Sequence, residues 1–189
     1  MRFVFSPTFC FQLVYPLAPS IDWKAVIYRI YECSVCVFLL FYLGYQHILP
    51  VAAESAVYFE ERDIFSILLA TLNLSIPVTY FWLTSFFLIF HSFSNLSAEL
   101  TRFQDRSFYQ DWWNSGSLTE YWRKWNHPIH NWLVRHCYYP LVRRGIDTNT
   151  ARFLTFMVSA YFHEHVTVAT FRFCNGVAFF FMIVNVPLM

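Results

Sequence analysis

His163, Glu164 and His165 stand side by side in the run Phe153 to Phe171, which is otherwise apolar. An ionisable group at bilayer depth costs several kcal/mol unless a cavity or a partner meets it, so such groups mark functional positions by default. A neutral imidazole, with an ordinary pKa near ~6.5, suits general-base work at neutral pH. It can take the proton of an alcohol as that oxygen attacks a thioester. No GxSxG nucleophile elbow occurs in the chain, so direct transfer is simpler than an acyl-enzyme route. Successive side chains on a helix turn by ~100°, so the three do not all face one cavity. That geometry, with no i, i+4 His pair, argues against zinc, and no metal is expected. Snorkelling or mutual satisfaction of the three is the bland alternative. Arg172 lies close to the face of Glu164, which permits a pairing without requiring one.

The elements that must position these residues belong to a membrane. The 189 residues are 57% hydrophobic, 22% aromatic and only 13% charged, against about 25% charged in an ordinary soluble domain. A net charge of +1 gives no basic excess for nucleic acid. Cys33 to Ala53 is 21 residues without a formal charge, enough for one span of ~20 residues. Arg29 and Glu32 precede it, and Glu54 to Asp63 reads as a polar connector. The 35 uncharged residues from Ile64 to Ala98 form either one long kinked helix through Pro77 or an interfacial piece and a span from Val78. This run closes on a polar patch, His91, Ser92, Ser94, Asn95, Ser97 and Glu99.

Phe153 to Phe171 and the 17 uncharged residues from Phe173 to Met189 complete a count of four spans. The final run stops without a polar flank, which reads as a cut chain. Met1 to Pro19 lacks the pattern of a signal peptide. The odd number of Cys, five, gives no disulfide framework, and Cys33 with Cys36 is a lone CxxC read as structural thiols.

Thr101 to Arg152 is the least membrane-like part. It holds eight of the thirteen basic residues against four acids, which places it on the cytosolic side. Five Trp (112, 113, 122, 125 and 132) fall within it. Short amphipathic helices at the interface fit that composition. Its cations suit the phosphates of a CoA-type donor and its rings an adenine, while binding of anionic lipid heads accounts for the composition equally well.

Three stretches carry a resemblance. Phe108 to Asn114 (FYQDWWN) matches an FYxDWWN signature, Tyr121 to His130 (YWRKWNHPIH) looks like a loop with an invariant Asn, and Ser159 to His165 (SAYFHEH) resembles an active-site helix. In this order they resemble the membrane-bound O-acyltransferase superfamily, in its sterol and diacylglycerol acyltransferase branch. Phe5 to Pro16 (FSPTFCFQLVYP) and Arg135 to Gly145 (RHCYYPLVRRG) lean towards the type 1 diacylglycerol enzymes.

The resemblance implies an all-α, multi-spanning protein of the endoplasmic reticulum membrane. Residues 1–100 are then membrane helices, 101–152 an amphipathic cytosolic acyl-CoA-binding loop, and 153–189 the active-site helix and following span. By position, His163 is implied as the catalytic His and Asn126 as its companion, with Glu164 orienting the acceptor hydroxyl. Trp125, His130 and Tyr139 are implied as contacts to CoA. Tyr109, Asp111 and Trp112 belong to the signature loop, where packing competes with ligand contact as their role. Acyl-CoA serves as co-substrate, without a cofactor, and the acceptor is diacylglycerol, giving triacylglycerol. Membrane lipids and further copies of the chain are the other implied partners.

Two positions depart from the family pattern. His165 replaces the usual Tyr, and Thr148 stands where relatives carry a basic residue. Relatives have about nine spans, so the resemblance implies only part of the tunnel around His163. A sterol acceptor, a non-catalytic truncated paralogue and a proton-relaying transporter are the competing expectations. The transporter leaves the FYxDWWN-type loop unexplained.

Overall fold

The computed structural model describes residues 2–186, and the last three residues of the final apolar run lie outside them. Among the described residues the structure is helical, with one isolated antiparallel bridge, Leu17 to Phe103, and no strand. The chain divides into two units, Met1–Pro7 with Val14–Arg106 and Thr8–Leu13 with Ser107–Met189.

The first unit begins with the single turn α1 (Arg2–Phe5). It is built mainly on two long helices. α2 (Trp23–Leu43) runs through a π-helical segment, Gly44–Ile48, into α3 (Leu49–Glu61). α4 (Ile64–Phe86) runs through a second, Phe87–Phe93, into α5 (Ser94–Thr101). Asp22 and Asp63 cap the starts of α2 and α4, each accepting backbone N–H groups that have no intrahelical partner. Both long helices are apolar enough to cross a membrane, and only 11% and 6% of their apolar windows are buried. The core helix of a soluble protein would bury that surface, whereas lipid accepts it exposed.

Two expectations about these helices are resolved. Pro77 does not divide its run: α4 is continuous through it. Pro77 removes one ladder bond, and the neighbouring hydroxyls of Ser75 and Thr79 turn onto the carbonyls of Leu72 and Ser75. Glu54 to Asp63 is largely not a connector. α3 extends to Glu61, helped by the Tyr58 hydroxyl donating to Glu54 one turn back. The chain turns only at Arg62, whose φ of 56° ends the helix.

Polar residues inside this unit satisfy one another. Arg29 donates to Glu32 at 2.6 Å and to Nε2 of His91 at 2.9 Å, and the fully buried Ser92 donates to Glu32 at 3.2 Å. Buried Glu99 accepts the Asp22 N–H at 2.9 Å and pairs with Arg106. The ladder Ala18 N–H to Arg102 O and Gln104 N–H to Pro16 O then stitches residues 16–18 to residues 102–104.

The second unit consists of α6 (Leu118–Trp125), α7 (His127–Leu133), a π-helical segment Val134–Tyr138, α8 (Tyr139–Arg143), α9 (Thr148–Phe171) and α10 (Val177–Val184). Asp147 caps α9 by accepting from Asn149 and Thr150. Ring contacts dock the short helices on α9, Trp122 against Phe156 and Trp132 against Phe162.

Candidate active site

α9 is the spine of the second unit, and His163 sits on its exposed surface. Its Nδ1 lies 2.8 Å from the carbonyl oxygen of Ser159, one turn earlier. A carbonyl only accepts, so Nδ1 is the donor, and in the neutral ring Nε2 is then the nitrogen with the lone pair. Nε2 has no partner among the described residues. The spacing of Ser159 and His163 made this bond readable in advance, because i and i+4 face each other on a helix.

Glu164 turns to another side and is half-buried. Its Oε1 accepts the Gly176 N–H at 2.8 Å and its Oε2 the Phe179 N–H at 3.1 Å. Both oxygens are therefore engaged with the start of α10, a partnership the sequence reading did not contain. Arg172, considered there as a partner, ends α9 in the left-handed region. His165 is exposed and its ring stacks on Tyr161.

Asn126 occupies the joint between α6 and α7. Its Oδ1 accepts the Ile129 N–H at 3.2 Å and caps α7. The amide Nδ2 has no partner among the described residues, and Asn126 and His163 share no hydrogen bond. Beside it, Trp125 ends α6, and half-buried His130 lies one turn into α7. Burial first, then the neighbouring His127 and Arg123, push the His130 pKa down, which favours its neutral ring.

The signature loop is fixed by its neighbours. Phe108 is buried, and its carbonyl accepts the His127 N–H at 3.0 Å. Asp111 pairs with Lys124 at 2.8 Å, and Lys124 also meets Glu120 at 2.8 Å. The Lys124 hydrogen bond holds the Asp111 carboxyl below its ordinary pKa. Trp112 packs edge-on against Tyr121 and Trp125, while Tyr109 tilts against Trp113. Asp111 and Trp112 thus have packing and pairing partners that the sequence reading weighed against ligand contact. Tyr139 is exposed on α8.

A groove of about 620 Å³ runs between the α8 region and α9, lined by Cys137, Leu141, Leu154, Met157, Val158 and Phe162, with His136 and Arg144 as its charged or polar members. Its apolar walls suit a hydrocarbon chain, and Arg144 gives it one cationic wall residue.

A helical chain with two membrane-length apolar helices and a base-competent histidine on an apolar helix has the features of a membrane-embedded transferase. Residues 1–188 match the family described as MBOAT, membrane-bound O-acyltransferase family. The chain belongs to that family. It is 39% identical over 186 residues to diacylglycerol O-acyltransferase 1 of Homo sapiens, covering 98% of this chain and 38% of that protein. Similarity to diacylglycerol O-acyltransferase 1 of Dictyostelium discoideum reaches 41% over 170 residues, 90% of this chain and 28% of that one. For diacylglycerol O-acyltransferase 1C of Glycine max the identity is 37% over 187 residues, 99% and 36% of the two chains. The chain therefore spans well under half the length of these relatives.

Proposed function

We propose that this chain carries the catalytic centre of an acyl-CoA-dependent O-acyltransferase that converts diacylglycerol to triacylglycerol. One observation carries the reading: His163 has its Nδ1 proton committed to Ser159 and its Nε2 without a partner. Nε2 takes the proton of the acceptor hydroxyl as the oxygen attacks the thioester carbonyl. The tetrahedral intermediate collapses, the C–S bond breaks, and the imidazolium returns the proton to the departing CoA thiolate. The Nδ2 donors of Asn126 serve the oxyanion, a task in which one donor is typically worth ~10²–10³ in rate. No metal or other cofactor enters this scheme.

In the same reading the groove beside α9 takes the acyl chain, and Trp125, His130, Tyr139 and the loop at Tyr109, Asp111 and Trp112 face the CoA portion. The similarity to diacylglycerol O-acyltransferases supports diacylglycerol as acceptor. Four spans, a cytosolic loop over 101–152, an endoplasmic reticulum location and assembly with further copies complete the proposal.

The test is expression in yeast lacking its own neutral-lipid acyltransferases, with labelled oleoyl-CoA supplied to microsomes and His163→Ala run in parallel. Labelled triacylglycerol that disappears in the variant is the expected result. Steryl ester would redirect the acceptor assignment. Absence of any neutral lipid from inserted protein would overturn the reading for this chain.

A further inference from the structure

α10 is entirely apolar, VAFFFMIV, and begins at Gly176, which has no side chain to cap it. The first N–H groups of any helix lack intrahelical acceptors. Beside lipid an unmet N–H costs several kcal/mol, because no water replaces the missing partner. Three such groups are met here by side chains, and Glu164 meets two of them. Its Oε1 takes Gly176 N–H and its Oε2 takes Phe179 N–H, while Asn175 Oδ1 takes Val177 N–H at 3.0 Å. Charge favours the arrangement as well, since a carboxylate sits at the positive end of a helix. The thiol of Cys174 lies 3.9 Å from Oε1, on the same side of the turn.

The chain reverses between Arg172, with φ 54°, and Gly176, with φ 70°, and α10 packs back on α9. Adjacent residues on α9 are ~100° apart in direction. Fixing Glu164 against α10 therefore fixes the rotation of α9 and, with it, the direction of its neighbour His163.

We propose that Glu164 is a positioning residue: its carboxylate clasps the start of α10 to α9 and so aims the Nε2 of His163 at the reacting alcohol. The inference rests on the reading of His163 as the base, but the clasp itself does not.

Two measurements on the chain in lipid nanodiscs separate these levels. Hydrogen exchange of the segment 173 to 181 reads the clasp directly, because Glu164 is the acceptor that the amides of Gly176 and Phe179 meet among the described residues. They should exchange at least about tenfold faster in Glu164→Ala than in the wild type. Glu164→Gln keeps the volume but only one oxygen, so it should protect one of the two amides and guards against failed insertion of the alanine variant. Equal exchange in all three proteins would remove the clasp. Transfer kinetics read the consequence. Glu164→Ala should lower kcat by about tenfold or more while the KM for diacylglycerol stays within about twofold, since orientation of a base acts in the transition state. A raised acceptor KM at unchanged kcat would instead place Glu164 on the acceptor. A wild-type chain without transfer activity would sink the transferase reading and the aiming role together, leaving the exchange data to decide the clasp alone.

Discussion

Two histidines on long apolar helices, one in each unit, are wired in opposite senses. His91 receives the Arg29 guanidinium at Nε2, beside an ion pair to Glu32 and a buried Ser92. His163 gives its Nδ1 proton to the Ser159 carbonyl and leaves Nε2 open. Guanidinium only donates and a carbonyl only accepts, so both rings carry the proton on Nδ1. In His91 the basic nitrogen is spent on holding a cation, whereas in His163 it is the one atom left over. A buried polar network with every member met rigidifies a fold. An open lone pair on an otherwise anchored ring does chemistry. Residue type and helical setting are shared, and the hydrogen-bond partners are what distinguish the two rings.

Glutamine substitution is the sharpest way to break this contrast. His163→Gln keeps a polar side chain but removes the proposed base, and the transfer rate should fall by about 10³-fold, within the range for a lost general base. His91→Gln supplies a carbonyl in place of Nε2, and should keep most of the rate and the thermal midpoint. Loss of rate in His91→Gln at an unchanged amount of folded protein would mean that the first unit also contributes a titrating group.

Next in size is the ion pair itself. Glu32→Ala leaves Arg29 without its carboxylate among apolar helices, and should cost about 3 kcal/mol of stability. The fall in thermal midpoint, followed by fluorescence of the solubilised protein on gel filtration, measures it. Replacing both partners, Arg29→Met with Glu32→Ala, should recover much of the loss. A single variant as stable as the wild type would show that the pair is a surface contact.

The helices that carry the two histidines were legible in the sequence, and their wiring was not. Charge-free runs marked where the long helices lie, and the charges inside α9 marked the residues on which the proposed site rests. The composition of 101–152 pointed to short helices because its Trp and Arg recur without a long apolar stretch. Three features stayed hidden. The helical end of α3 was concealed by its charges, since a polar surface and a connector look alike in sequence. The network of Arg29, Glu32, His91 and Ser92 joins residues about sixty apart, and no local pattern records such a pairing. For Glu164, beside His163, the sequence implied only the orienting of an acceptor hydroxyl. Its real contacts, the amides of Gly176 and Phe179, lie past a turn, and backbone donors leave no mark in residue type.

Asn126 sharpens the comparison at the next level, because one side chain there combines an observed cap with the proposed oxyanion donor. Its Oδ1 caps α7 and its Nδ2 has no partner among the described residues. Asn126→Ser keeps a capping oxygen and loses the amide donors, so stability should stay within about 0.5 kcal/mol while the rate falls about 10²-fold. Asn126→Ala should show the same rate loss and a further ~1 kcal/mol of destabilisation from the missing cap. If the serine variant transfers acyl groups normally, Asn126 is a cap and nothing more.

The smallest effect concerns His130, a third kind of histidine, whose pKa is lowered by burial and by the neighbouring His127 and Arg123. Its folded pKa lies below the ordinary 6.5, so the unfolded chain binds the proton more readily. The stabilisation is then complete above about 6.5 and is lost as pH falls through that value and on through the folded pKa. A thermal midpoint that drops between pH 7 and pH 5 is expected, with a shallower drop in His130→Asn, which cannot take up the proton. His127 and Arg123 repel a charged ring in the same direction, so Arg123→Gln should also flatten the profile by a smaller amount. Identical profiles in all three proteins would assign the acid sensitivity elsewhere and remove the reason for treating His130 as a neutral contact to the CoA portion.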